Sequence, residues 1–389
     1  MQREVALALM KRALTIVENQ WPEMADTYMQ VPLDYYGNPE FAAKEQALFE
    51  TSPLALIAAS EIANPHDYLV RNAVGRSVLL TRDGDGVAHA FLNYCRHRGA
   101  EPAQGCGNRR TFNCPYHNWT YDTQGRLIGM PQRDRFKGLD LSGLGLVELP
   151  SEERHGFIWV VLTPGHAIDV AAHLGELDAE IGSLGCANMK YCSSLAEAPL
   201  VSNWKSVAEG LLEGIHVPYV HAGTFNLNPQ AASVDLAFYD AFGPHVRYGM
   251  PMFGRDDVAR LRAIPDSEIN PMEHIGCIWF ISPGLLLAHE LYGMIYADLS
   301  PGRSIGVSVF RYGWLSPVEQ PPAGMPTPAE MAARAARGVY QDEPVWAGCA
   351  RGLSLGAHEF ALIGRNEKAV QLFHERLARQ TGYNGLRSC

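Results

Sequence analysis

The chain has 389 residues, 47% of them hydrophobic, which is ample apolar material for two cores. Its 42 acidic against 32 basic side chains give a formal net charge of −10, with a sequence pI near 5.8. That balance argues against a nucleic-acid surface, and no uninterrupted apolar run of about twenty residues suggests a membrane span. The opening stretch, MQREVALALMKRALTIVENQ, places apolar residues at helical spacing, interrupted by charge at Arg3, Glu4, Lys11 and Arg12. It reads as a docking helix and not as a secretory leader. Eight cysteines without a disulfide-like pattern fit a reducing compartment, and so a cytoplasmic protein.

From about residue 45 to 165, short β-rich runs such as RSVLLTRD and VAHAFLNYC alternate with turn signals at DGDG and TQG. Two short metal-ligand patterns lie inside this stretch, CRHRG at 95–99 and CPYH at 114–117. They supply Cys95 and His97, then Cys114 and His117. Two thiolates and two imidazoles in this order are the ligand set of a Rieske [2Fe–2S] centre, where His replaces Cys on one iron and raises the reduction potential. A structural Cys₂His₂ zinc site is the alternative, although zinc fingers usually group Cys with Cys and His with His. Cys106, between the two pairs, reads as a buried small apolar residue.

Residues 203–221, NWKSVAEGLLEGIHVPYVH, predict a helix. Trp204, Ala208, Leu211, Leu212 and Ile215 share one face, while Glu209, Glu213 and His216 form a stripe on the opposite one. An ordinary amphipathic helix with a solvated polar side has the same pattern. The continuation differs, because His221 follows with Pro218 in between, and a kink at that proline brings His221 back toward a metal shared with His216. Two His and one carboxylate, leaving open positions, make the facial triad of non-haem Fe(II) oxygenases. Further on, HVRYGMP, IGCIWFISP, LLLAHELYGMIYADL and SIGVSVFRYGWL read as long strand-like runs of an antiparallel sheet enclosed by helices. The Pro-rich EQPPAGMPTP at 319–328 reads as a surface loop before the final helices. The acidic pair Asp342 and Glu343 stands ahead of a helical segment, where negative charge is also favoured by the helix dipole.

On these motifs the chain resembles the catalytic, or alpha, subunit of the Rieske non-haem iron oxygenases, the ring-hydroxylating family, over almost its whole length. The resemblance implies an α+β protein: a small β-rich Rieske [2Fe–2S] domain plus a helix-grip catalytic domain, an antiparallel sheet with helices. The corresponding boundaries are an N-terminal helical segment at 1–44, the Rieske domain at 45–165 and the mononuclear iron domain at 166–389. Cys95, His97, Cys114 and His117 would hold the cluster, with Arg98 and Trp119 packing around it. His216, His221 and Asp342 would hold the mononuclear iron, Asp342 being selected by alignment on Arg351, Gly352 and Leu353, with Glu343 as its neighbouring alternative. Glu213 stands where the family carries a bridging Asp, which links an iron-bound His to a cluster-bound His of the neighbouring subunit. With Glu213, the resemblance implies Asn203 and Glu209 as catalytic residues. Ala100 and Asn118 occupy positions where respiratory Rieske subunits carry disulfide cysteines, which sets the chain apart from them.

The implied activity is that of a terminal oxygenase, using O₂ to mono- or dihydroxylate a small aromatic or cyclic substrate. The alternatives are oxidative demethylation or quaternary-amine monooxygenation, and outside enzymology a Rieske electron carrier. Electrons would come from NAD(P)H through a separate reductase, with or without a ferredoxin, because the GDG and GPG fragments lack a dinucleotide-binding context. The family also implies a homotrimer, possibly with a small beta subunit. Pocket residues suggested by position are Tyr219, Phe225, Phe242, His245, Arg247 and His289, each with core packing or, for Arg247, a salt bridge as the plainer reading.

Overall fold

The computed structural model describes residues 1–192, 198–224, 236–317, 320–321, 323–356 and 358–388. It divides into two units, Phe49–His173 and the combination of Met1–Leu48 with Leu174–Cys389.

The Phe49–His173 unit is made of short antiparallel strands. Its five-stranded sheet has the spatial order Glu148–Leu149, Ala88–Leu92, Arg76–Arg82, Asp67–Ala73, Cys106–Asn108. Val78, Leu79 and Leu80 are fully buried at its centre. Cys106 departs from the expectation of burial: it sits on the edge strand, whose three residues are all exposed. A three-stranded sheet of Thr111–Asn113, Thr120–Asp122 and Leu127–Gly129 carries the second ligand loop. Phe91, Phe112 and Tyr121 pack with Cys95 and Cys114 in one core, so both loops rest on a hydrophobic floor.

The other unit is organised by an antiparallel sheet running Lys190–Cys192, Ser308–Ser316, Gly293–Pro301, Leu285–Glu290, Ile275–Ile281, His245–Pro251, Phe238–Phe242. Ala198–Leu200 also pairs with Ser308–Ser316. The run LLLAHELYGMIYADL, one extended stretch by pattern, folds back as a hairpin through Leu291 and Tyr292, with Leu291 at φ 50°. Side chains alternate across a strand, and the register sorts them into two faces. Phe280, Leu286, Ala297 and Tyr312 form one cross-strand row. Helices Pro328–Ser354 and Lys368–Thr381 cover this face, through Trp346 on Phe310 and Phe373 on Phe280. Arg247, Trp279 and Leu287 belong to the opposite face, where Arg12 of helix Arg3–Asn19 reaches Asp240 at 2.9 Å.

The helix expected over 203–221 is interrupted. It runs from Trp204 to Leu211, and a second short helix spans Val217–Val220. Gly210 and Gly214 weaken helix propagation, and the Glu213 carboxylate takes the backbone amides of Ile215 and His216. Pro218 therefore opens the second helix instead of kinking the first. Asp342 also differs from its expected place ahead of a helix. It lies in the middle of the 27-residue helix Pro328–Ser354, which starts from a capping box of Thr327 and Glu330.

The Trp204–Leu211 helix is held by a buried ion pair. Lys205 Nζ lies 2.5 Å from Glu45 Oε1, the other Glu45 oxygen accepts from Trp204 Nε1 at 2.8 Å, and the ammonium stands 4.8 Å from the Tyr35 ring. Burial pushes the lysine pKa down, against the pull of Glu45. Removing one partner of such a pair leaves an uncompensated charge in the interior. Lys205→Met is expected to destabilise the chain by roughly 3–5 kcal/mol in urea unfolding. Adding Glu45→Leu should recover a large part of that loss.

Candidate metal centres

Two loops of matching geometry present the first ligand set. In one, Gly99 N–H donates to Cys95 C=O at 2.9 Å and Cys95 N–H to Ala100 C=O at 2.9 Å. In the other, Asn118 N–H donates to Cys114 C=O at 2.9 Å and Cys114 N–H to Trp119 C=O at 2.8 Å. Each loop turns through a left-handed residue, Gly99 at φ 78° and Asn118 at φ 56°. The repeated pattern brings the imidazoles of His97 and His117 to 4.5 Å between centroids. Nδ1 of both rings is buried with no hydrogen-bond partner, and both Cys side chains are buried. Four inward-facing donors, two of them orphaned nitrogens, fit a [2Fe–2S] cluster held by Cys95, Cys114, His97 and His117. Trp119 stacks on His97 at 4.9 Å and covers it, whereas Arg98 is exposed and lies over Tyr116. Tyr121 adds a hydroxyl 3.2 Å from Cys95 Sγ, a partner the motif reading missed. Burial raises the phenol's pKa, so it stays protonated and donates.

The second set converges in the Met1–Leu48 and Leu174–Cys389 unit. Ligand atoms of His216, His221 and Asp342 all lie within 4.8 Å of one another. Asp342 Oδ1 is 3.1 Å from His221 Nε2 and 3.8 Å from His216 Nε2. The remaining ring nitrogens are engaged: His216 Nδ1 with Glu213, and His221 Nδ1 with Gln341 Oε1 at 2.9 Å. Acceptors at Nδ1 favour the tautomer that leaves Nε2 free to bind metal. The donor set of two imidazoles and one carboxylate suits Fe(II) with open positions. Burial opposes charge on His221, but Asp342 and Gln341 outweigh it and the pKa rises, as expected for a ring facing an unneutralised carboxylate.

The Trp204–Leu211 helix, which leads into the two histidines, closely approaches the Asp342 helix at Gly210. A Cβ there would stand 2.6 Å from Nε1 of the buried Trp346. Glu209, Glu213, His216 and Asp342 border a cleft of about 790 Å³. The polar stripe is thus already engaged within the chain: Glu209 accepts from Tyr36 O–H at 2.6 Å and lies 3.0 Å from His374 Nε2. Asn203 stands apart from the ligands as the helix cap, accepting from Lys205 N–H at 2.9 Å and donating to Tyr36 C=O at 2.7 Å. Glu343 is exposed on the Pro328–Ser354 helix beside Asp342.

Of the pocket residues suggested by position, Phe242, His245, Arg247 and His289 are engaged on the sheet strands. Arg247 is consumed by Glu180 at 2.6 Å and Asp240 at 2.8 Å, and its guanidinium covers Phe242. His289 lies on the same outer face and senses the N-terminal amine; burial lowers its pKa to about 4. His245 is buried, its Nδ1 accepting from Ser282 N–H at 3.1 Å. Tyr219 is 82% exposed on the short helix. Phe225 lies outside the described residues. Position along the chain could not separate the two faces of the sheet.

The fold and both ligand sets define a two-centre iron protein. A Rieske [2Fe-2S] domain matches residues 52–147, and the ring hydroxylating alpha subunit catalytic domain matches residues 190–382. The chain belongs to the Rieske non-haem iron oxygenase alpha subunits of the ring-hydroxylating family. It is similar to the carnitine monooxygenase oxygenase subunit of Acinetobacter pittii, 31% identical over 207 residues, 52% of this chain and 54% of that one. The anthranilate 1,2-dioxygenase large subunit of Acinetobacter baylyi is 28% identical over 203 residues, 50% of this chain and 43% of that one. These matches span about half the length of the curated relatives. Among solved structures, a quaternary ammonium Rieske monooxygenase superposes with a TM-score of 0.76 at 20% identity, covering 92% of this chain and 96% of that one.

Two outcomes follow from this geometry. Tyr121→Phe removes a hydrogen bond to a cluster thiolate, worth about 1 kcal/mol, and should lower the cluster potential by about 40 mV in a redox titration. Gly210→Ala should push the Trp204–Leu211 helix away from the Asp342 helix, lowering mononuclear iron content while acid-labile sulfide stays unchanged.

Proposed function

We propose that this chain is the terminal oxygenase of a multicomponent system, oxidising a small organic substrate with O₂ and reductase-supplied electrons. The observation that carries the reading is the convergence of His216 Nε2, His221 Nε2 and Asp342 Oδ1, with both Nδ1 atoms already held from behind. An electron carrier has no chemical reason to keep that set. When bound, the cluster supplies electrons singly and the Fe(II) supplies open positions for O₂ activation.

The chain's own residues prepare that chemistry. Glu213 orients His216 through Nδ1 and caps the break that follows the helix. Gln341 orients His221 from the helix that also delivers Asp342. Beside the cleft, Glu213 is the group that would meet a cluster histidine of a second copy, which supports a homotrimer with or without a small beta subunit. The electron source is NAD(P)H through a separate reductase, directly or by way of a ferredoxin. No helix among the described residues is long and apolar enough to cross a membrane. We place the enzyme in the cytoplasm, where a reducing environment suits its thiols.

Two substrate classes remain from the family. Aromatic-ring oxidation is supported by the likeness to anthranilate dioxygenase, and quaternary-amine monooxygenation by the match to carnitine monooxygenase, which spans 52% of this chain against 50%. We favour the second.

Iron and sulfide analysis of the intact protein should give about three irons and two sulfides per chain. His216→Ala should lose about one iron, keep the cluster absorption and form no product in an O₂-coupled assay. Product from a verified mononuclear-iron-free variant would sink the assignment.

A further inference from the structure

Three buried tyrosines close to the cleft ligate neither metal set. Tyr35 and Tyr36 belong to the short helix Asp34–Gly37, and Tyr383 follows helix Lys368–Thr381. Their rings form a chain of contacts, 6.1 Å between centroids from Tyr36 to Tyr35 and 4.3 Å from Tyr35 to Tyr383. At one end, Tyr36 O–H donates to Glu209 at 2.6 Å, and Glu209 borders the cleft together with Glu213, His216 and Asp342. At the other, Tyr383 O–H donates to Asp34 at 3.1 Å, and Asp34 is exposed. The chain thus leads from the cleft beside the triad to the surface.

Aromatic packing alone accounts for three rings in contact. It does not account for where the hydroxyls point. Burial raises the pKa of all three phenols, so each holds its proton in the resting protein. A phenol that loses an electron becomes strongly acidic, and the loss is favoured where a charged base already accepts its O–H. Tyr36 and Tyr383 each have a carboxylate in that position. Tyr35 differs: its hydroxyl is buried without a hydrogen-bond partner, and the Lys205 ammonium stands 4.8 Å from its ring. A cation against the ring and no base at the oxygen both oppose oxidation there. Tyr35 is therefore suited to relay an electron between the two ends and not to remain oxidised.

We propose that Tyr36, Tyr35 and Tyr383 form an escape path that carries an oxidising equivalent from the mononuclear site to the surface when no organic substrate consumes it. This rests on the oxygenase reading above. Tyr36 gives one electron to the oxidised iron and its phenolic proton to Glu209. Tyr383 then gives one electron to Tyr36 by way of Tyr35 and its own proton to Asp34, while Glu209 returns the first proton to Tyr36. A thiolate in solution restores Tyr383 by supplying one electron, and the proton comes back from Asp34. The net change is one electron moved from the thiolate to the iron, with the tyrosines and carboxylates as they began.

The test is freeze-quench EPR of the iron-loaded enzyme mixed with hydrogen peroxide, with neither organic substrate nor thiol present. A tyrosyl signal is expected, narrowed when the protein is grown on ring-deuterated tyrosine. His216→Ala, verified to lack the mononuclear iron, should give none, and Tyr36→Phe should lose it too. Glu209→Gln removes the base but keeps the phenol, and should also lose the signal; it serves where Tyr36→Phe does not fold. Tyr383→Phe should retain the signal on Tyr36, and added thiol should quench it more slowly than in the unaltered protein. No tyrosyl signal from the fully iron-loaded protein overturns the proposal, and so does a signal unchanged in Tyr36→Phe, in Glu209→Gln or in His216→Ala. Iron analysis separates the two readings: full iron content without a tyrosyl signal refutes the path alone, while absent mononuclear iron refutes the oxygenase and the path with it.

Discussion

The contact on which the catalytic unit depends is the approach of Gly210 to Trp346. Only a hydrogen atom at position 210 lets the Trp204–Leu211 helix settle against the long Pro328–Ser354 helix. Asp342 then reaches the two histidines, although it is more than a hundred residues away in sequence. Metal coordination tolerates displacements of a few tenths of an ångström, so helix spacing is a chemical requirement as much as a packing one. The Lys205–Glu45 pair fixes the same helix from its other side, which ties the N-terminal segment to the metal geometry.

Glu213 shows how one side chain can serve local folding and chemistry together. Its carboxylate satisfies the amides freed where the helix breaks, and it also holds the ring of His216. The family pattern has Asp here. The Glu213 carboxylate folds back on its own chain while remaining beside the cleft. Glu209 is embedded one turn earlier, against Tyr36 and His374, so the acidic stripe is a supported structure and not a solvated face.

Charge is divided between the two faces of the sheet. On the outer face, Arg247, Glu180, Asp240 and Arg12 form a closed network that docks the first helix. On the inner side, the charged groups among the described residues include Asp342, Glu209, Glu213 and the Glu290–Arg334 pair. Buried ion pairs add little net stability compared with apolar packing. The outer network therefore fixes an orientation.

The local motifs alone pointed to Cys95, His97, Cys114, His117, His216 and His221 as candidate ligands, because each chemistry demands particular side chains at short spacing. The same applies to the docking helix at Arg3–Asn19, whose apolar period is local. Asp342 needed the family alignment, since nothing near it distinguishes a ligand from a helix-favouring carboxylate. Tertiary structure alone decided the rest. Periodicity could not foresee the helix break after Leu211, which depends on Glu213 capturing backbone amides, or the hairpin inside 285–301. Nor could it assign Arg247 and His289 to the outer face and Glu290 to the inner one. A strand pattern states only that neighbouring side chains point in opposite directions; which direction leads to the metal is set by the helices that cover each face.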